Sequence, residues 1–278
     1  VRVMDILELF KIVIVSIIEG VTEWLPISST GHMLLFDEFA KLNFSSEFKS
    51  VFMVVIQLGA IMAVIFTYWS KLNPFDKHKN HREKKNTIEL WKKILIGAIP
   101  AGVMGILFNN FIEKYFENMW VISAMLMFYG ILFIVIERFR KNRNIKPKIE
   151  SFGEMTYLDA LKIGGYQILA LIPGTSRSGS TIIGGLLTGV SRKIAVEFSF
   201  FMGIPIMLGS SALKIVKHGF KYSNIEIFYL SVALILTFIV SMFVIKSLVN
   251  YLKNNDFQMF GWYRILLAIL IVGYFLIK

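Results

Sequence analysis

Eight long apolar runs follow one another along these 278 residues, at about 6–22, 50–69, 94–108, 119–136, 157–172, 196–213, 227–249 and 262–277. A shorter piece rich in Gly and Leu covers 181–190. No soluble core of this size has room for so many. Hydrophobic residues make up 55% of the chain and charged residues 18%, where a soluble domain carries about 25% charge. Mean hydropathy is +0.63. Soluble globular, disordered and collagen-like folds are excluded, which leaves an integral membrane protein. A segment in lipid must satisfy its own backbone hydrogen bonds, and these runs are too long for barrel strands, so they read as helices. The expected fold is an all-α polytopic helix bundle forming one membrane domain over 1–278.

The chain has no cysteine, which removes disulfides, thiolate nucleophiles and Cys-based metal centres. Its formal charge is +11. In a membrane chain that excess reads as basic cytoplasmic loops, and no nucleic-acid partner is expected. The run Ile6 to Val21 contains Glu8, Lys11 and Glu19 and no small-residue cleavage pattern follows it, so no cleavable signal peptide is expected. Residues 70–93 hold eight Lys/Arg against three acids, a net +5, and 137–150 hold six against two, a net +4. Residues 109–118 hold one Lys and two Glu, a net −1. The positive-inside rule places the first two stretches in the cytoplasm and the third outside. Trp24, Trp69, Trp91, Trp120 and Trp262 fall near segment ends, where interface anchors are expected.

Two segments are too short. Ile6–Val21 and Tyr157–Ile172 reach about 24 Å each, against a hydrocarbon layer of about 30 Å. Both end at a proline followed by small polar residues. The first continues Pro26-Ile27-Ser28-Ser29-Thr30-Gly31-His32 and the second Pro173-Gly174-Thr175-Ser176-Arg177-Ser178-Gly179. Overlaid on the prolines, Ser28 meets Thr175 and Ser29 meets Ser176, an offset of 147; further on, Gln57-Leu58-Gly59 meets Phe201-Met202-Gly203, an offset of 144. The chain therefore reads as two repeats, about 5–136 and 151–278, joined by a cytoplasmic linker at 137–150. Each repeat is expected to hold a re-entrant helix pair plus about three transmembrane helices. An odd number of crossings inverts the second repeat, and broken helices in matching places point to a site between them. Lys214, Lys217 and Lys221 in 214–225 pull the other way, since inversion puts that loop outside. In the alternative topology the two short segments span. Inversion is the expectation, because the segments are short and matched.

Glu19 and Glu23 stand four residues apart and so share one helix face. Ionisable groups at membrane depth are costly and normally serve an ion, a proton or a substrate; the plainer reading is a solvated helix end. Ser28-Ser29-Thr30-Gly31-His32 opens an apolar run, as N-caps do, and a helix N-terminus suits an anion. Hydroxyls and an imidazole supply a nucleophile and a base, with His32 one helical turn from Ser29. The second turn carries Arg177 among hydroxyls and glycines and opens a helix over Thr181–Val190. A guanidinium there suits bidentate phosphate recognition; the plainer reading is a close-packing turn. If the repeats meet, an anion with an apolar tail fits between them.

The stretch from Glu19 to His32, with Val55-Ile56-Gln57-Leu58-Gly59 and Pro173 to Thr181, closely resembles the bacterial undecaprenyl-diphosphate phosphatase family, also called the bacitracin-resistance protein family. Phe198 to Pro205 and Trp262-Tyr263-Arg264 are similar to family segments too. Trp24 stands where the family often has Phe. The resemblance implies a multi-pass protein of the bacterial cell membrane, with its site open to the outer face. Its substrate would be a polyprenyl diphosphate lipid among membrane lipids, and a divalent cation, Mg or Ca, would assist. Ser29 matches the proposed nucleophile, and His32 the residue that activates it or protonates the leaving group; either one can attack phosphorus. Glu23 matches an essential acid acting as base or metal contact. Glu19 is a supporting acid and metal candidate, and Arg177 is the phosphate clamp. Ser28, Thr30, Ser176, Ser178 and Thr181 would supply phosphate-binding donors. A polyprenyl-phosphate transporter or flippase is the competing reading, since inverted repeats also build transporters. The outer helix faces are all apolar, which leaves a homodimer open.

Overall fold

The computed structural model describes residues 5–219 and 222–277. They form twelve helices: α1 (Ile6–Thr22), α2 (Ser29–Phe39), α3 (Ser46–Val55), α4 (Gln57–Thr67), α5 (Trp69–Leu72), α6 (His81–Phe116), α7 (Met119–Asn142), α8 (Tyr157–Leu169), α9 (Arg177–Leu187), α10 (Arg192–His218), α11 (Asn224–Tyr251) and α12 (Gln258–Ile277). Six stretches are long and apolar enough to cross a membrane: α3 with α4, α6, α7, α10, α11 and α12. The short α1, α2, α8 and α9 are not among them. The chain is thus a polytopic helical membrane protein, as its apolar runs require.

Hydropathy misplaces some boundaries. Most of the basic stretch 70–93 is helix, because α6 starts at His81 and runs for 36 residues. Its first turns are charged and so lie outside any apolar run. The signal was a capping box: Asn80 accepts from the Glu83 N–H while the Glu83 carboxylate accepts from the Asn80 N–H. Likewise α9 begins at Arg177, four residues before Thr181.

The short pairs are held at opposite ends of the bundle. The Asp5 N–H donates to the Tyr229 hydroxyl at the start of α11 (3.1 Å). The Asn43 N–H, beyond α2, donates to Glu8 in the first turn of α1 (2.8 Å). So α1 and α2 enter and leave where α3 and α11 begin. At the other end the Tyr157 hydroxyl donates to Glu89 near the start of α6. There the Lys148 N–H donates to the Gly189 carbonyl beyond α9 (2.8 Å), and Arg140 near the end of α7 donates to the Leu186 carbonyl (2.6 Å). So α8 and α9 enter and leave where α6 begins and α7 stops. Lys214 and Lys217, in the last turn of α10, lie at the α11-start end; Lys221 lies outside the described residues.

Packing repeats this pattern. α1 lies on α11 and α8 on α6; α4 lies on α11 and α10 on α6; α7 pairs with α12 and α4 with α10. Exchanging α1, α4, α6 and α7 with α8, α10, α11 and α12 reproduces the same set of contacts. Small residues permit the closest crossings. A Cβ on Gly261 would lie 2.7 Å from the Gly130 carbonyl oxygen, and one on Gly130 2.8 Å from that of Gly261.

Among the tryptophans, Trp69, Trp120 and Trp262 are exposed, as anchors are. Trp24 is not an anchor. It is fully buried, edge-on to Phe200 at 5.0 Å, because the residues after α1 turn into the bundle where the short pairs meet.

Candidate active site

Each short pair turns at a serine with positive φ, Ser28 at 74° and Ser176 at 73°. L-residues occupy that region at a cost. Each serine then caps the next helix: Ser28 Oγ accepts from the Gly31 N–H (3.3 Å) and Ser176 Oγ from the Gly179 N–H (3.1 Å). In three dimensions Ser28 therefore matches Ser176, one residue away from the overlay on the prolines. Upstream the turns differ. Gly174, with φ 91°, stands where a Cβ would meet the Ile122 carbonyl oxygen at 2.6 Å.

In this register Ser29 and Arg177 occupy the same place in the two turns, and both reach Glu23. Ser29 Oγ donates to Glu23 Oε2 (2.7 Å). Arg177 Nη2 donates to Glu23 Oε1 (2.9 Å), with Nε at 3.3 Å from the same oxygen. Arg177 Nη1 donates to the Ser199 carbonyl (2.8 Å), and the guanidinium lies 5.5 Å over the Trp24 ring. Gly203 leaves room for it, since a Cβ there would stand 3.0 Å from the guanidinium carbon. Glu23 continues the α1 ladder, its N–H bonded to the Glu19 carbonyl (3.0 Å), so the two carboxylates share a face. Glu19 is buried, and among the described residues its Oε1 has no hydrogen-bond partner.

His32 is not the partner of Ser29. Its Nδ1 lies 2.8 Å from the Ser28 carbonyl and its Nε2 2.6 Å from the Tyr263 hydroxyl. A carbonyl only accepts, so Nδ1 carries the hydrogen, and in the neutral ring Nε2 accepts from Tyr263. The two rings stack at 5.6 Å, 6° from parallel.

The five further hydroxyls have separate places. Ser28 and Ser176 hold helix N-termini. Ser178 Oγ lies 3.2 Å from the Leu25 carbonyl and 3.3 Å from that of Glu23, tying one turn to the other. Thr181 is buried, its Oγ1 2.7 Å from Ser199 Oγ. Thr30 is exposed on α2.

Sequence reasoning gave Arg264 no role, yet it is fully buried at the junction. Its Nη1 donates to the Pro26 carbonyl (3.1 Å). Its Nη2 reaches the carbonyls of Gly174 (2.8 Å) and Thr175 (2.9 Å). One guanidinium thus clamps both turns. The available signal was a lone arginine inside an apolar run, which membrane burial makes costly.

A serine hydroxyl bonded to a carboxylate, an anchored guanidinium and two helix N-termini meet where broken helices join. That arrangement defines a polytopic membrane protein with a buried site suited to attack on an anionic phosphorus centre. The chain belongs to the bacitracin resistance protein BacA family, whose profile matches residues 12–270. It is 53% identical to undecaprenyl-diphosphatase 1 of Clostridioides difficile, over 98% of this chain and 97% of that protein. It is 52% identical to the undecaprenyl-diphosphatase of Enterococcus faecalis, over 96% and 98% respectively. With the undecaprenyl-diphosphatase of Desulfitobacterium hafniense it shares 50% identity over 98% of each chain.

Proposed function

We propose that this protein hydrolyses undecaprenyl diphosphate to undecaprenyl phosphate and inorganic phosphate, which would return the lipid carrier to wall synthesis and confer bacitracin resistance. The observation that supports it best is the chain of bonds from Ser29 through Glu23 to Arg177. Glu23 accepts the Ser29 proton as Oγ attacks the terminal phosphorus. The bond from that phosphorus to the bridging oxygen breaks, and undecaprenyl phosphate leaves. Water then attacks the phosphoserine, passing one proton to His32; the bond from phosphorus to Oγ breaks, inorganic phosphate leaves, and Glu23 returns its proton to Ser29. Arg177 can turn its guanidinium from Glu23 to the phosphoryl oxygens, aided by the N-termini of α2 and α9. Once protonated on both nitrogens, with Nε2–H turned to the Tyr263 oxygen, His32 would hand that proton to the leaving oxygen. His32 as nucleophile is the less favoured assignment, since both ring nitrogens are engaged.

A divalent cation, Mg or Ca, fits this donor set. Glu19 offers a buried carboxylate oxygen, unpartnered among the described residues, one turn from Glu23, and hard cations take oxygen ligands. Among the described residues no group of three or more His, Asp or Glu forms a cage, so substrate phosphates and water would complete the shell. When bound, the cation would neutralise charge on the diphosphate. The two halves are read as inverted-topology repeats with re-entrant pairs α1–α2 and α8–α9, and the site as open to the outer face.

The test is phosphate release by purified protein in detergent from undecaprenyl diphosphate, with magnesium or calcium and then with chelator. Wild type is expected to release phosphate and Ser29→Ala to lose it. Folded wild type that releases none from any diphosphate would favour the transporter. A dead His32→Ala beside an active Ser29→Ala would move the nucleophile to histidine.

A further inference from the structure

A charged cavity, of about 880 Å³, lies away from the junction, among the end of α7, the 144–147 linker, the start of α10 and the α11–α12 loop. Arg140, Lys141, Lys146, Arg192, Lys193 and Lys253 line it against one acid, Asp256. Asp256 is occupied: its carboxylate accepts from the Gln258 N–H (3.0 Å) and side-chain amide (2.8 Å). The two arginines are fixed in the wall. Arg192 makes two bonds to the buried Glu137 carboxylate, at 2.8 and 2.5 Å, and Arg140 is held by the Leu186 carbonyl (2.6 Å). Lys141, Lys146, Lys193 and Lys253 have no side-chain hydrogen bond or ion pair among the described residues. The linker that carries Lys146 is pinned, with the Lys148 N–H on the Gly189 carbonyl and the Ser191 N–H on the Ile149 carbonyl. The result is an open basin with two anchored arginines and four exposed lysines whose ammonium groups have no acidic partner among the described residues.

We infer that this cavity binds a phosphate-bearing anion at the bundle end that carries the 70–93 and 137–150 stretches. By the charge rule that end is cytoplasmic. Basic pockets between membrane helices on that side suit lipid head groups, and free inorganic phosphate offers the same chemistry. Ile145 and Leu252 in the lining add apolar surface beside the cations. A merely solvated basic face explains cations spread over this end. Here the cations are not spread: four lysines without an acidic partner and two anchored arginines line one basin that holds a single carboxylate, Asp256.

The test uses the full chain in detergent. Native mass spectrometry would compare retention of phosphatidylglycerol with that of phosphatidylcholine, and a separate titration would use inorganic phosphate alone. K141Q/K146Q/K193Q/K253Q removes the lysines. K77Q/R82Q/K84Q/K85Q removes equal charge from the same end but outside the cavity. Wild type is expected to prefer phosphatidylglycerol, and the cavity variant to lose that preference by about tenfold or more while the control keeps it. Phosphate binding that is lost only in the cavity variant, without a lipid preference, would support the site and assign the free anion as its source. If the four-fold variant does not fold, K141Q/K193Q and K146Q/K253Q are read instead. Equal retention of both probes by wild type and cavity variant, equal loss in the control, or no binding of either probe by wild type would overturn the inference.

Discussion

Glu23 divides its two oxygens between the Ser29 hydroxyl and the Arg177 guanidinium. That division separates two substitutions. Ser29→Ala removes a hydroxyl and leaves the ion pair, so phosphate release should vanish while the melting temperature barely moves. Glu23→Gln removes the proton acceptor and the counter-ion together. Turnover should fall by about 10²–10⁴-fold. Stability should also fall, by roughly 3–5 kcal/mol, because a largely buried guanidinium is left uncompensated. Phosphate release and thermal unfolding in detergent check both. Arg264→Met should cost roughly 3 kcal/mol or more, since it leaves buried carbonyls in both turns unpaired, and its melting point would report this directly. Glu23, Ser29 and Arg177 were legible in the sequence because polar groups at membrane depth stand out. Their pairing was not. The spacing of three suggested that His32 reaches Ser29, but helical geometry carries it one residue further, to the Ser28 carbonyl. Ser29, as first residue of α2, instead points back to the end of α1.

At the scale of elements, apolar runs located the spanning helices, and shortness picked out α1 and α8. What hydropathy missed was charge inside helices, as in the first turns of α6, and register inside turns. The prolines were the visible anchors of the overlay, but the positive-φ serines fix the geometry, and φ leaves no trace in composition. Helix crossings were equally hidden. Gly130 and Gly261 form the α7–α12 crossing, whereas Gly273 on the same helix has nothing within 4 Å of an added Cβ. Gly261→Val should therefore destabilise by about 1–3 kcal/mol through overpacking. Gly273→Ala should be neutral or stabilise by up to about 1 kcal/mol through helix propensity. Thermal unfolding of the two variants side by side distinguishes a contact glycine from an idle one.

At the scale of the molecule, the two short pairs enter from opposite ends and meet at Glu23, so neither half holds the whole of the candidate site. Ser29, Glu23 and His32 come from one half; Arg177 and Arg264 come from the other. This architecture with the charge rule predicts a membrane orientation, and the chain's lack of cysteine makes it testable. Lys41, Lys114 and Lys217 are exposed at the end where α3, α7 and α11 begin; Lys77 and Ser151 are exposed at the other. Each is changed to cysteine in turn and labelled in intact cells with a membrane-impermeant maleimide. If the repeats are inverted and the basic end is cytoplasmic, Lys41→Cys, Lys114→Cys and Lys217→Cys react from outside, and Lys77→Cys and Ser151→Cys react only after permeabilisation. Lys217 is the decisive position, because loop charge alone would hold it inside. External labelling there means that the matched short pairs, and not local charge, set the topology. Protection of Lys217→Cys beside a reactive Lys114→Cys would mean that α1 and α8 cross the bilayer after all, and the site would no longer lie between opposed re-entrant turns.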